Sequence, residues 1–221
     1  MRLILTSFIL FLSFYLKSQS FSELGIQSGF MFYNGDINES KLFYNISFNK
    51  GLLWRHSFNN HYAIKINLNN AVLRASTNNL IRLNQFLENI TISSQIYDLA
   101  LQGEFNMLPF NPLHPKGGFI SPYITAGIGL FFANNKGPAL NIPFGTGIKL
   151  KLNNKIIIAC EFTFRKTFND NIIDDISNEI IKDNRRSFLF NNDWYSVSNI
   201  ILTYNIGKAK IKCPTYKDLS R

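Results

Sequence analysis

Acidic side chains are concentrated in the polar stretch F-N-D-N-I-I-D-D-I-S, which follows an alternating apolar and polar run at 156–168. Asp170, Asp174 and Asp175, with Glu179 close behind, supply carboxylate oxygens, the ligands that Ca²⁺ and similar cations take. The alternative is an acidic loop hydrated by solvent, and this is the interpretation we favour. The carboxylates therefore do not by themselves predict a metal site.

The three histidines, His56, His61 and His114, all fall near predicted short turns. Their spacing matches no standard set of metal ligands, and turn histidines are usually solvated. None lies in a long loop, where a lipid-modifying barrel enzyme would hold its catalytic histidine. The sequence therefore predicts a protein that is not an enzyme and that uses no metal, no cofactor and no small-molecule substrate.

The N-terminus has the pattern of a secretory signal peptide. A positive start at Arg2 precedes an apolar run at 3–16, and small residues Ser18 and Ser20 follow. We expect cleavage near Ser20, so that residues 1–20 are removed and the mature chain is exported. The formal charge of +9 then falls to +7 with the loss of Arg2 and Lys17. Export makes nucleic acid an improbable partner for this basic chain.

Apolar and polar residues alternate along eight segments, which is the period of β-strands. In the clearest segment Ile156, Ile158, Phe162 and Phe164 share one face, and Cys160 lies among them. The predicted strands are 23–33, 44–58, 62–74, 89–107, 120–132, 144–152, 156–168 and 194–206. Residues 134–141 are predicted to be a loop.

The predicted connections are sorted by length. The long polar ones (35–43, 75–88, 133–142 and 169–192) alternate with shorter ones at 59–60, 109–118 and 153–154. An even number of strands, with short turns and both termini at one end, is typical of an outer-membrane barrel. A soluble sandwich or lipocalin-like barrel has no reason to sort its connections in this way. We therefore predict an all-β fold over residues 21–206, which is an eight-stranded antiparallel transmembrane β-barrel of the outer membrane. Outer-membrane lipid is expected to surround the barrel, and both termini are expected to lie in the periplasm.

The polar face of the predicted strands carries charge of both signs. An eight-stranded barrel is just wide enough for side chains to fill its interior. Since an isolated buried charge is too costly, these residues are expected to pair with one another. The predicted lumen charge network consists of Arg55, Lys65, Asp98, Glu104, Lys149, Glu161 and Arg165, with Lys151 on the same face.

Residues 207–221 form a basic tail, G-K-A-K-I-K-C-P-T-Y-K-D-L-S-R. On the predicted topology this tail lies in the periplasm. It is either a frayed end or a segment that docks onto a partner. The candidate docking residues are Lys208, Lys210, Lys212 and Cys213. A disulfide between Cys160 and Cys213 is possible but not expected.

Several motifs, taken in order, resemble the PorG-type outer-membrane β-barrel family. They are E-L-G (23–25), Y-N-G-D-I (33–37), E-F-N (104–106), S-P-Y-I-T-A-G-I-G (121–129), P-F-G-T-G-I-K (143–149), R-K-T-F-N-D-N-I-I-D-D-I-S (165–177), D-W-Y (193–195), I-I-L-T-Y-N-I (200–206) and the late Cys213. The resemblance covers nearly the whole mature chain.

The resemblance implies a component of the type IX protein secretion system. PorG-type barrels lie in the outer membrane and associate with a periplasmic ring built by PorK and PorN. The implied role is to anchor or assemble that ring without catalysis. The resemblance would also give the tail a role in contacting the ring, with Cys213 as the residue that could form a disulfide to it. The acidic loop with Asp170, Asp174 and Asp175 would be extracellular. The alternative function is a free-standing structural barrel with no secretion role.

Overall fold

The computed structural model describes residues 20–34, 46–76, 91–113, 118–133, 137–168 and 194–207, and these contain eight strands. The strands are β1 (Phe21–Asn34), β2 (Ser47–Ser57), β3 (Tyr62–Ser76), β4 (Thr91–Asn106), β5 (Ile120–Ala133), β6 (Ala139–Lys151), β7 (Ile156–Thr167) and β8 (Trp194–Asn205).

The eight strands form one closed barrel. Each strand pairs antiparallel with the next, and β8 pairs with β1 from Glu23↔Asn205 to Asn34↔Trp194. Closure gives every strand two partners, so no edge of backbone N–H and C=O groups is left open. The predicted eight-stranded antiparallel barrel is confirmed.

The outer surface of the barrel carries a broad apolar belt. Large side chains on it are widely exposed, among them Ile200 at 64%, Ile128 at 63% and Leu52 at 61%. The side chains between them point inward and are mostly polar and buried, as the two-residue period of a strand requires. Apolar surface of this extent is unstable in water and is what a transmembrane barrel presents to lipid. No helix among the described residues is both long and apolar enough to cross a bilayer.

The two Asn-Asn turns are built by the same side-chain contacts. Asn59 Oδ1 accepts hydrogen bonds from the backbone N–H groups of His61 (2.8 Å) and Tyr62 (2.7 Å). Asn153 Oδ1 does the same for Lys155 (2.8 Å) and Ile156 (2.7 Å). An asparagine side chain can replace a backbone carbonyl in a turn, which explains why these residues mark tight connections. We call the end of the barrel that carries these turns the short-turn end.

The prediction of a loop over 134–141 is wrong at its end, because β6 begins at Ala139. Pro143 argued against a strand at this position, because proline has no N–H to donate to a sheet. In the β5–β6 pairing, Ala126 pairs with Phe144 and the next pair is Gly129 with Asn141. Pro143 lies in the short unpaired stretch between these two pairs. The connection at 134–138 is consequently shorter than the one at 107–119, so the lengths alternate less strictly than the sequence predicts.

The segment 107–113, which follows β4, covers the short-turn end of the lumen. Its residue Phe110 is buried and donates a backbone hydrogen bond to Asn60 O (3.0 Å) in the β2–β3 turn. On the opposite side, Leu113 Cδ1 lies only 3.4 Å from where a Cβ on Gly207, just after β8, would be. The segment 107–113 thus reaches from the β2–β3 turn to the β8 end, across the opening of the barrel.

Candidate functional site in the barrel lumen

Glu104, on β4, is the centre of the charged groups inside the barrel. Its carboxylate lies 2.9 Å from Arg55 Nε, 3.4 Å from Lys65 Nζ and 2.6 Å from Lys149 Nζ. All four side chains are buried. They come from β2, β3, β4 and β6, so one carboxylate joins strands on several sides of the barrel wall.

Two further carboxylates complete this network. Glu23 accepts from Arg55 Nη1 at 2.8 Å and from Thr203 Oγ1 at 2.9 Å. Glu161 pairs with Lys65 and accepts from Tyr123 OH at 2.6 Å. Three carboxylates therefore face three cations, and the cluster is neutral overall. Neutrality matters here because a buried ion is tolerated only when it is paired and hydrogen-bonded.

A second ion pair lies on the other side of a layer of amides. Arg165 pairs with Asp98, which also accepts from Asn141 Nδ2 (3.0 Å) and Asn69 Nδ2 (3.3 Å). Asn141 donates to Tyr195 OH as well, at 3.1 Å. Asp98 is thus hydrogen-bonded on both of its oxygens and balanced by Arg165.

The amide layer connects the strands between the two charged groups. Gln27 Nε2 donates to Asn69 Oδ1 (2.7 Å), Asn49 Nδ2 donates to Asn199 Oδ1 (2.8 Å), and Asn67 Nδ2 donates to Gln102 Oε1 (2.7 Å). With these contacts the described side chains fill the lumen between the two charged groups.

The structure places all seven residues of the predicted lumen network inside the barrel and divides them into two groups. Arg55, Lys65, Glu104, Lys149 and Glu161 meet in one cluster, and Asp98 pairs with Arg165 in the other. The sequence-based set omitted Glu23 and Tyr123, which belong to the first cluster, and the amides between the clusters. The alternation of inward and outward side chains along each strand could have identified them, because all of them lie at inward-facing positions.

The other candidate sites lie elsewhere. The acidic loop residues Asp170, Asp174 and Asp175 and the tail residues Lys208, Lys210, Lys212 and Cys213 fall outside the described residues. His114 does as well, whereas His56 Nδ1 lies 2.8 Å from Ser22 Oγ and His61 Nδ1 lies 2.9 Å from Asn106 O. Within the described ranges no three His, Cys, Asp or Glu side chains are grouped so that they could hold a metal ion.

A family model covers residues 1–215 of the chain, and its description is a domain of unknown function, DUF6089. The chain belongs to the DUF6089 family. The match extends from the N-terminus through the barrel and into the basic tail. No match was found among curated proteins.

Several solved structures are similar to this DUF6089 barrel. Neisserial surface protein A (NspA) aligns with a TM-score of 0.50 at 8% identity, over 82% of this chain and 95% of that one. Ail, the attachment invasion locus protein of Yersinia pestis, in complex with a heparin analogue, gives 0.43 at 13% identity, over 85% and 97%. The outer membrane protein OprG from Pseudomonas aeruginosa gives 0.38 at 10% identity, over 86% and 96%. At these identities the NspA alignment supports the fold alone, which is that of an outer-membrane barrel.

Gly147 gives a direct test of lumen packing in this DUF6089 barrel. A Cβ added at Gly147 would lie 2.5 Å from Tyr123 Cζ, so the Tyr123 ring must move and its hydrogen bond to Glu161 must change. We expect Gly147→Ala to lower the free energy of unfolding by about 1–3 kcal/mol, the usual cost of overpacking. Urea-dependent unfolding in phospholipid vesicles measures the change.

The matched control for this prediction is Gly103→Ala. A Cβ on Gly103 would come no closer than 3.8 Å to its nearest neighbour, Ala126 O, so this variant should unfold like wild type. Equal unfolding of both variants and wild type would show that the Tyr123 ring is not held against Gly147.

Proposed function

We propose that this protein is a non-catalytic component of the type IX protein secretion system in the outer membrane, where it anchors or assembles a periplasmic ring of PorK- and PorN-like proteins. The order of the PorG-type motifs along the chain supports this role. The structural observation that carries the proposal is the occluded lumen, packed with a neutral network around Glu104 and covered at one end by 107–113.

An occluded lumen excludes several other functions for the barrel. Among the described residues, paired side chains occupy the cross-section of the lumen, an arrangement that does not suit the passage of solutes. The barrel's function therefore depends on its two ends and its outer surface. This favours a membrane anchor that holds other proteins over a pore or a ligand carrier.

The short-turn end is the part of the barrel that would face the ring. In outer-membrane barrels the short turns are periplasmic and the longer loops are extracellular. β1 begins and β8 ends on this side of the barrel, so residues 207–221 start there. On this proposed topology the tail would lie on the periplasmic side with the ring, and its candidate docking residues are Lys208, Lys210, Lys212 and Cys213.

Co-purification from outer membranes tests the proposal. Wild-type protein carrying an affinity tag should recover the PorK- and PorN-like subunits after mild crosslinking, as identified by mass spectrometry. A chain truncated after Gly207 should lose most of this recovery, and Cys213→Ser should lose whatever part a disulfide contributes. Cys160→Ser is the matched control, because Cys160 is exposed on the lipid-facing side of β7 and should have no effect.

Two outcomes would contradict parts of the proposal. If wild-type protein recovers no ring subunits, the secretion role fails and the free-standing structural barrel is the better description. If truncated and wild-type chains recover the ring equally, the barrel contacts the ring through another surface and the role of the tail fails.

A further inference from the structure

We propose that the outer surface where β7, β8 and β1 meet binds one phospholipid with an anionic headgroup, at the short-turn end of the barrel. A groove of about 280 Å³ lies there. Its walls include Leu24 and Ile26 of β1, Leu202 and Tyr204 of β8, and Ile156 of β7. We call it the seam groove.

The strand register explains why these side chains surround one groove. Tyr204 pairs with Ile156 on one side and with Leu24 on the other, and Leu202 pairs with Ile26 two residues further along. All of them point outward into the apolar belt, with Ile26 59% exposed. Because this surface meets hydrocarbon, the occupant of an apolar groove in it is an acyl chain.

A cation lies at the short-turn end of the seam groove. Lys155 directly precedes Ile156, and its Nζ lies 5.9 Å from the centroid of the Tyr204 ring, within cation–π distance. Its backbone carbonyl accepts from Asn205 N at 2.7 Å, which fixes this residue beside the end of β8. A lysine at the edge of a bilayer attracts anionic headgroups.

Polar groups flank the same end of the groove on the β1 side. Ser22 lies on the outward face two residues before Leu24, and its Oγ is 2.8 Å from His56 Nδ1. The His56 ring is stacked 5.9 Å from Trp54 and meets Phe58 edge-on at 5.1 Å. Aromatic residues of this kind are typical of the membrane–water interface.

These groups surround the short-turn end of one groove, with Ser22 and His56 on its β1 side and Lys155 on its β7 side. The acyl chain lies along the apolar walls, the glycerol ester region reaches Ser22 and His56, and the phosphate lies near Lys155. This binding depends on the transmembrane fold and not on the secretion role, so it can hold whether or not the barrel carries a ring.

Native mass spectrometry of the full chain in a detergent micelle tests the proposal. The protein is titrated with phosphatidylglycerol, with phosphatidylcholine of the same acyl chains, or with inorganic phosphate. We expect a one-to-one complex with phosphatidylglycerol at a lower concentration than with phosphatidylcholine, and no competition from inorganic phosphate. Lys155→Gln should weaken phosphatidylglycerol binding about fivefold, the effect of removing one lysine near a lipid surface.

Variants of the groove walls provide the second arm. Leu202→Trp fills the seam groove and should remove the one-to-one complex. If the tryptophan variant does not fold, Leu202→Ala is tested in its place, because it removes part of the groove wall and should weaken the same complex. Ile128→Trp introduces the same side chain on the exposed face of β5, away from the groove, and should bind like wild type. Lys50→Gln removes an exposed lysine elsewhere on the barrel and should also bind like wild type.

Three results would overturn the proposal. Equal binding of the two phospholipids would remove the headgroup preference. Equal loss in the groove variants and their controls would indicate unspecific lipid around the whole belt. Displacement of the lipid by inorganic phosphate would show that the site recognises phosphate without the acyl chain.

Discussion

Glu104→Gln should destabilise the barrel by about 3–5 kcal/mol, the cost of removing one partner from a buried ion network. The change leaves Arg55, Lys65 and Lys149 buried against only Glu23 and Glu161, so one positive charge is uncompensated. Glutamine keeps the size of the side chain, which separates the loss of charge from a loss of packing. The measurement is urea-dependent unfolding in phospholipid vesicles, followed by heat-modifiable migration on a gel.

A double variant distinguishes the charge effect from a local defect. Glu104→Gln combined with Lys149→Met restores equal numbers of carboxylates and cations, so it should be less destabilised than the sum of the two single variants. Lys155→Gln, at an exposed position in the β6–β7 turn, is the control for a simple change of net charge and should unfold like wild type. If the two single effects add in full, the network does not depend on its charge balance.

Ile128→Arg should lower the free energy of unfolding by about 2–4 kcal/mol, because this is the usual effect of an arginine on the lipid face of a barrel at the bilayer midplane. Ile128 is 63% exposed and lies near the middle of β5 on the apolar belt. An arginine there would place its charge in hydrocarbon, whereas in water the same substitution would relieve an exposed apolar side chain. Unfolding in vesicles again gives the free energy.

The matched control is Ile120→Arg, on the same outward face at the short-turn end of β5. Near the interface an arginine costs only about 0–1 kcal/mol, because its side chain can reach water. A large loss of unfolding free energy for Ile128→Arg, with a small loss for Ile120→Arg, would therefore show that Ile128 lies deeper in the membrane. Equal, small effects at both positions would contradict a lipid-facing belt.

The number of strands and the direction in which most of their side chains point could be predicted from the sequence. Alternation is a local property, since neighbouring residues of a strand must face opposite sides. This is why Arg55, Lys65 and Lys149 could be assigned to the lumen before any pairing was known. The same rule failed at 139–141, where Pro143 interrupts the donor pattern of a strand that nevertheless continues.

The partners of those residues could not be predicted in the same way. Lys65 and Glu161 are 96 residues apart and come from strands that are not neighbours, so their contact depends on how the closed barrel staggers its strands. No period along the chain records that stagger. The central position of Glu104, and its contact with three cations, follow from the same closure.

The sequence by itself determined an eight-stranded barrel with a charged interior and an apolar exterior, because the period of the pattern and the sign of the charges are local. Only the tertiary structure decided that the interior forms a neutral cluster and a separate Arg165–Asp98 pair, that Phe110 covers one end, and that a groove with Lys155 beside it opens between β8 and β1. The physical reason is that these features join residues far apart in the sequence, which become neighbours only when the barrel closes through the pairing of β8 with β1.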